Sequence, residues 1–529
     1  MKLNFCRVMR NLAQRHGDKE AIVNVERNRR YSFREYHLLT NRIANALRER
    51  LAVGRGDKFM LILENDNVSL LQFPTIYKQE GTAVMTNLRD SVDEHRWQVE
   101  LAKPKVVFIE NKLLDSHGPM LRDAGCTIVV MDPLDGAQQG NTAGVLDFQQ
   151  LIDSASDADN EVALDQHAHT VLLRFTGGTT GRGKCAMYSA DNLLACRDTA
   201  FANPELGFDA GTRMLHVAPL THGTQIMFYP TLFAGGTNIT MNALDLELWS
   251  RVAEAERATH SFLVPTALYR LLELQRAKPR NFASLRTILY GAAPMSAAKL
   301  NELIDGFGPI FAQGYASTET PMFVSILDKS EHRTDSAQAV QRMSSAGRVT
   351  PGVEVFVTDS EGRELPPGQT GEIRIRSRAL IQGYYGNPEG TAAEFVDDAW
   401  RSGDLGYIDD EGFLFIVDRL KDMIISGGEN VYSAEVENAL AQHPAVSQSA
   451  VIGVPDERWG ERVHAVVVLK PGQGAEAAEL VAHCKALIAG YKCPRSVEFR
   501  TELPTSPAGK LQKFVLREPF WQGRSRRVN

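Results

Sequence analysis

The sequence predicts an α/β protein of more than one domain, with doubly wound sheets in a large amino-terminal part. Short apolar runs of strand length, among them Val106–Ile109 and Thr127–Val130, alternate with amphipathic helical stretches over residues 1 to about 170. That alternation is the pattern of a parallel sheet with helices on both faces. Several strand-like runs end in loops of small residues, where open α/β sheets hold their ligands. The 529 residues also exceed what one hydrophobic core organises.

Taken in order, the chain opens with an amphipathic helix and then a strand, without the apolar core of a signal peptide. Ser32-Phe33-Arg34-Glu35 reads as a capping box starting a helix through Leu39 and Ile43. Residues 171–175 form a buried strand, followed by the loop TGGTTGRGK at 176–184. The text from 214 to 239 is largely apolar, with His216 in core-like surroundings and His222 in a loop after Pro219-Leu220-Thr221. A strand at 285–290 runs into Gly291-Ala292-Ala293-Pro294, and one at 309–312 runs into QGYASTE. Between about 345 and 415, alternating strands and Pro/Gly turns predict a small antiparallel or barrel-like subdomain. Further on, a strand, a turn at Asp410-Glu411-Gly412 and a second strand precede a helix opening at Ser433. Strands near 449–454 and 463–469, a helix near 476–488 and the loop PTSPAGK complete a small α+β domain.

Composition narrows the function classes. A net charge of −7, 43% hydrophobic and 23% charged residues describe an ordinary soluble globular protein and give no sign of a nucleic-acid partner. No apolar run approaches the ~20 residues of an integral membrane segment. Cys6, Cys126, Cys185, Cys196, Cys484 and Cys493 are scattered without a C-x-x-C, so neither a disulfide framework nor structural zinc is expected, and a cytoplasmic location is. His167-Ala168-His169 lacks a third ligand nearby and reads as loop.

The glycine loop carries the chemistry. Gly177, Gly178, Gly181 and Gly183 let backbone approach a bulky anion, while Thr176, Thr179, Thr180 and Lys184 supply hydroxyls and a cation. Gly178, Gly183 and Lys184 fit P-loop spacing, but Cys185 stands where that motif needs Ser or Thr for magnesium. At the other strand ends, Gly291, Ala292 and Ala293 leave room for a flat base, Tyr315 can stack on it, and Glu319 is a hard oxygen donor suited to Mg²⁺ beside phosphates. Glu319 reads equally well as a helix-start carboxylate.

Eight segments in order, FTGGTTGRGK, APLTHG, YGAAP, GYASTET, RSGDLGYIDDEGF, DRLKDMIISGGENVYSAEVENAL, DERWGERV and PTSPAGKLQK, resemble the acyl-CoA synthetases of the adenylate-forming superfamily. The resemblance implies an adenylation domain over 1–420 and a mobile domain over 421–529. It implies that Thr176 to Lys184 hold the β- and γ-phosphates of ATP, that Gly291 to Pro294 and Tyr315 frame adenine, and that Thr318 meets the α-phosphate. Glu319 would bind Mg²⁺, and Asp404 with Arg419 the ribose. Lys421 would be the hinge and Lys510 the catalytic lysine. Gly427 and Gly428 would line the pantetheine tunnel, and Trp459, Lys492 and Arg495 would meet coenzyme A. His222 would stand at the mouth of the carboxylate pocket. The chain departs from the family at Ala316, at Ser433, read as an N-cap in place of a proline, and at Cys493, where a basic residue is usual.

The expected activity is therefore ATP-dependent ligation of a carboxylic acid to coenzyme A, by a monomer or homodimer. The apolar stretch 226–233 points to a hydrophobic acid, fatty or aromatic. Transfer to a carrier-protein phosphopantetheine and, from a different class, a P-loop NTPase are the rival readings.

Overall fold

The computed structural model describes residues 1–72, 75–132, 144–176, 183–291, 295, 297–505 and 511–522. Its contacts divide the chain into two compact units. Met1–Thr176, Lys184–Glu354 and Arg376–Phe395 build the first; Val355–Ile375 and Val396–Asn529 belong to the second.

The first unit contains, among the described residues, a two-stranded sheet, Lys2–Leu3 with Leu164–Asp165, and two large ones. One runs Gly383–Tyr384, Cys185–Ser189, Thr170–Phe175, Thr82–Met85, Lys58–Ile62, Val106–Ile109, Thr127–Val130, Val145–Asp147. From Thr170–Phe175 to Val145–Asp147 every pairing is parallel, whereas Cys185–Ser189 pairs antiparallel to both its neighbours. The second sheet has a parallel centre, Phe311–Tyr315, Thr287–Gly291, His260–Leu263, Arg213–His216, Thr237–Thr240 and Glu20–Asn24, again with antiparallel edges. The sheets are thus mixed where the alternating pattern predicts parallel ones, and the first predicted strand joins the second sheet.

Double burial explains why the central strands read as continuous apolar runs. Phe59 and Leu61 point into a core that also holds Ile22 and Tyr36. Met60 and Ile62 point the other way, to a core with Val107, Leu121 and Ile128. A third core, around Trp249, Leu268 and Ile288, covers the outer face of the second sheet. The helix Phe33–Glu49 starts at the predicted capping box, with Ser32 and Glu35 bonded reciprocally. The apolar stretch 226–233 lies in the helix Gln225–Phe233, whose Phe228, Tyr229 and Leu232 are buried in the first core. Their hydrophobicity therefore serves packing and by itself does not indicate the substrate.

The second unit holds an antiparallel sheet formed by Glu354–Thr358, Gly371–Arg376, Ala399–Ile408, Leu414–Arg419 and Phe395–Val396. It also holds a mixed sheet in which Val446–Asp456 and Gly460–Leu469 form a long antiparallel pair and Ser496–Phe499 adds in parallel. Helices Ser433–Ala441 and Ala477–Leu487 cover that sheet around Val436, Leu440, Leu480 and Cys484. Ser433 is the first helical residue here, and Tyr432 is the cap without a side-chain bond. The Ser433 hydroxyl instead donates to Asp418 at 2.9 Å, which corrects its reading as an N-cap.

Candidate active site

The glycine loop is closed at its base. Thr176 N–H donates to the Lys184 carbonyl at 2.7 Å, and Lys184 N–H donates to Thr176 Oγ1 at 3.0 Å. Gly177, Gly178, Thr179, Thr180 and Gly181 lie outside the described residues. The loop joins two antiparallel strands, and Cys185 opens the second of them. A P-loop passes from a strand into a helix, so this geometry removes that reading. Cys185 is buried in the core beside Phe175, and burial pushes its thiol up to about 12.

The loops after the neighbouring parallel strands Thr287–Gly291 and Phe311–Tyr315 emerge side by side, with Gly291 opposite Gly314. A Cβ on Gly291 would come within 2.7 Å of the Gly314 carbonyl oxygen, so close strand packing alone already requires glycine there. Ala292, Ala293 and Pro294 lie outside the described residues. Tyr315, half-buried, ends its strand.

Thr318 and Glu319 sit in a non-helical bend, so Glu319 is not a helix-start carboxylate. This segment is fastened to the strand Cys185–Ser189 and to the residues that lead into the edge strand Gly383–Tyr384. Tyr188 Oη donates to the Thr318 carbonyl at 2.6 Å, and Ile381 N–H donates to the Glu319 carbonyl at 3.1 Å. Tyr384 Oη contacts Glu319 Oε1 at 3.0 Å and Glu394 Oε2 at 2.6 Å. Glu394 Oε1 in turn forms an ion pair with Lys184 Nζ, and that ammonium lies 4.7 Å from the centre of the Tyr384 ring. Four side chains therefore link Lys184, from the glycine loop, to Glu319. Burial pushes the Glu319 carboxyl above its ordinary range, and the charge on Glu394 adds to that against the Tyr384 bond.

Tyr384 and Glu394 are the members that sequence reasoning missed. Tyr384 is buried in a two-residue strand, and its N–H donates to Thr391 Oγ1 at 2.9 Å. Glu394 ends the helix Pro388–Glu394, capped by Asn387. The available signal was a turn-rich stretch, Gly383-Tyr384-Tyr385-Gly386-Asn387-Pro388, which carries no catalytic spacing.

His222 follows a turn closed by its N–H to the Pro219 carbonyl at 2.9 Å. Its Nδ1 lies 2.8 Å from the Thr221 carbonyl, in reach to donate to it. His216 is fully buried between Thr224 and Asn238, at 2.8 Å from each, as its core-like surroundings predict.

In the second unit, Asp404 and Arg419 are register partners on paired strands, with Nε 3.3 Å from Oδ1. Lys421 follows; burial and the nearby Arg419 lower its ammonium to about 8. Gly427 has φ +64°, and a Cβ there would meet the Trp459 ring at 2.7 Å, so glycine lets this loop lie on the indole. The Gly427 N–H donates to the Trp459 carbonyl at 2.8 Å, and the exposed Gly428 continues the loop. The guanidinium of Arg495 lies 4.7 Å from the centre of the Trp459 ring. Lys492 is paired with Glu435 at 2.7 Å, and Cys493 is buried in the small core. Lys510 lies outside the described residues, but Thr505 and Leu511 pair as an isolated antiparallel bridge.

Among the described residues no group of three or more His, Cys, Asp and Glu is positioned to hold a metal ion. Glu319, a single partly buried carboxylate, suits the alternative, Mg²⁺ held by one carboxylate together with substrate phosphates. Among the described residues no helix is long and apolar enough to cross a membrane.

Two mixed sheets whose strand ends bring Lys184 and Glu319 together through Glu394 and Tyr384 define an α/β architecture. Residues 9–385 match the AMP-binding enzyme family and residues 435–510 match the AMP-binding enzyme C-terminal domain. The chain belongs to that family and so to the adenylate-forming superfamily. It is 36% identical over 445 residues to a medium/long-chain-fatty-acid–CoA ligase of Mycobacterium tuberculosis, covering 78% of this chain and 76% of the relative. It is 38% identical over 411 residues to a feruloyl-CoA synthase of an Amycolatopsis species, covering 76% and 80%. A fatty acid–[acyl-carrier-protein] ligase of Streptomyces coeruleorubidus is 32% identical over 515 residues, covering 95% and 94%. ATP-bound MatB from Rhodopseudomonas palustris superposes with a TM-score of 0.87 at 29% identity, covering 98% of this chain and 99% of that one.

Proposed function

We propose that the protein is an ATP-dependent acid–CoA ligase that activates a hydrophobic carboxylic acid, fatty or aromatic, through an acyl-adenylate. The observation that carries this reading is the chain of contacts joining Lys184 to Glu319 through Glu394 and Tyr384. Support for the acid–CoA step comes from relatives named as fatty-acid and feruloyl CoA ligases. In the first half-reaction a carboxylate oxygen attacks the α-phosphorus, and pyrophosphate leaves with the electron pair of the broken P–O bond. In the second, a thiolate sulfur attacks the carbonyl of the mixed anhydride, and AMP leaves.

The chain's own groups divide this work. Lys184 and the loop from Thr176 hold the β- and γ-phosphates, and Thr318 meets the α-phosphate. Asp404 and Arg419 take the ribose hydroxyls. Lys510 brings a cation to the oxygens that gain charge, an effect worth ~10²–10³ in rate when one preorganised contact is removed. His222 borders the acid. Glu319 is the residue to hold Mg²⁺, which when bound neutralises phosphate charge. Coenzyme A would be met by Gly427, Gly428, Trp459, Lys492 and Arg495. Six free, buried thiols favour a reducing, cytoplasmic setting.

The test is a panel of carboxylates with ATP, Mg²⁺ and coenzyme A, scored for AMP, pyrophosphate and thioester. The expected result is carboxylate-dependent exchange of pyrophosphate into ATP and one preferred class of thioester. ADP as the sole nucleotide product would overturn it. The carrier-protein ligase among the relatives keeps one alternative acceptor open: adenylate formation with thioester only on a phosphopantetheinyl protein would favour it.

A further inference from the structure

Lys184 has two partners within the chain. Its ammonium pairs with Glu394 Oε1 and lies over the Tyr384 ring, while the other Glu394 oxygen takes the Tyr384 hydroxyl at 2.6 Å. Tyr384 carries one proton and faces two carboxylates, Glu394 at 2.6 Å and Glu319 at 3.0 Å. Its position is fixed: the residue is 2% exposed, its N–H is held by Thr391 Oγ1, and Phe395 packs edge-on at 5.9 Å. Glu394 thus has two anchors, a lysine whose side chain is 38% exposed and a buried tyrosine. The lysine is the partner that can leave.

We propose that Glu394 is a positioning residue that competes with nucleotide phosphate for Lys184. The inference rests on the assignment of Lys184 to the nucleotide phosphates. In the ligand-free protein Glu394 holds the ammonium against the tyrosine ring, aligned at the foot of the glycine loop. A polyphosphate takes Lys184 from it, because several anionic oxygens outweigh one carboxylate. Glu394 then keeps its bond from Tyr384 and is not left without a partner. The arrangement fixes the lysine's direction in the empty site at the expense of binding strength, and the loss is returned as a cation already in place.

The consequence is a sign that ordinary phosphate-binding residues do not give: removing this side chain's charge tightens ATP binding. ATP is titrated calorimetrically in EDTA, so that metal at Glu319 does not enter. Glu394→Gln keeps the shape and the Tyr384 contact, and its Kd for ATP is expected to fall about three- to tenfold. Tyr384→Phe keeps the ring under Lys184 but deprives Glu394 of its second anchor, so Glu394 holds the lysine harder and the Kd rises. Opposite signs from two neighbouring variants cannot come from a shared loss of structure. In a Lys184→Ala background Glu394→Gln is expected to change the Kd less than about twofold, since the partner is gone. With Mg²⁺ and acid present, Glu394→Gln lowers KM for ATP more than it changes kcat, and Glu394→Asp restores the parent KM. An equal or weaker ATP affinity in Glu394→Gln, or the same effect with Lys184 absent, overturns the inference. If the parent protein binds ATP and exchanges pyrophosphate, such a result removes this inference alone. If it binds no ATP, the ligase reading falls as well.

Discussion

Cys185 shows how one residue can be read two ways and settled by its neighbours. In the sequence it occupies the place of a P-loop Ser or Thr; in the fold its side chain turns into the core. The same is true of the other thiols, all buried and none in a disulfide. Burial holds Cys126 and Cys484 at about 11 and Cys185 at about 12, far above the pH at which thiolates react. Native protein is therefore expected to leave a thiol-disulfide reagent such as dithionitrobenzoate unreacted over minutes and to release all six equivalents in guanidinium. Rapid modification of even one thiol in the native state would show a core that opens locally. Single residues also mark how far the sequence was legible. Lys184 and Glu319 stood out because glycine spacing and a strand-end position give them a context. Tyr384 and Glu394 did not, because their role comes from partners distant in the chain, and no local pattern encodes a tertiary pairing.

Among the elements, the helix Lys513–Trp521 has the most consequential attachments. Lys513 Nζ pairs with Glu437 at 2.7 Å and donates to Ser433 Oγ at 2.7 Å, and Ser433 in turn holds Asp418. Burial opposes the charge on Lys513, but Glu437 and Asp418 outweigh it and its ammonium titrates above the ordinary value. One turn later Arg517 donates to the Lys421 carbonyl and to Asp422 Oδ1, both at 3.2 Å. The helix that follows residues 506–510 is therefore tied through Lys513 to the helix Ser433–Ala441 and through Arg517 to Lys421 and Asp422. Lys513→Met leaves Asp418 and Glu437 buried without their cation, and should cost ~3–5 kcal/mol in denaturant unfolding; a change under ~1 kcal/mol would mean the cluster is not coupled. We further propose that residues 421–529 turn about Lys421 between the half-reactions. Lys421→Pro, which fixes φ and adds bulk at that peptide, is expected to form adenylate and lose thioester formation. Equal loss of both halves would count against the hinge. Ser433 also marks a limit of reading: a serine before a helical run fits an N-cap, and only the position of Asp418 on the preceding strand shows the hydroxyl used sideways.

For the whole molecule, strand and helix order was legible because period and length separate the two, whereas the antiparallel return of Cys185–Ser189 after the glycine loop was not. Nor was sheet membership, since an edge strand and a central strand of equal apolarity read alike. The buried polar groups of the first unit carry a pH dependence. His37, His95, His216, His260 and His332 are buried, and desolvation pushes each imidazole down to about 4. A depressed imidazole contributes stability above its unfolded value of ~6.5, and that contribution is lost as pH falls toward 4. Asp66, Asp90 and Asp328, raised by burial to about 6, act oppositely: their contribution is full below ~3.8 and is lost as pH rises through about 6. Between pH 6 and pH 7 the three carboxyls are still losing protons in the folded state, but the five histidines, which titrate in the unfolded chain around ~6.5, outweigh them and decide the sign. The Tm is therefore expected to fall by roughly 2–5 °C between pH 7 and pH 6. A scanning-calorimetry profile that is flat or rises over that interval would refute the assignment.

The two-residue strand Gly383–Tyr384 closes one edge of the first sheet by pairing with Cys185–Ser189. In synthesis, that edge is translated long before the strand that covers it. Until then a growing chain presents the bare backbone of Cys185–Ser189, a template for pairing with other chains. The second sheet has a similar delay in reverse, because Glu20–Asn24 waits for Thr237–Thr240. Ribosome-stalled chains ending before residue 383 are thus expected to stay protease-sensitive and to need a holding chaperone. Protection should appear abruptly once Tyr384 has left the exit tunnel, and gradual protection from earlier lengths would mean that the sheets assemble without it.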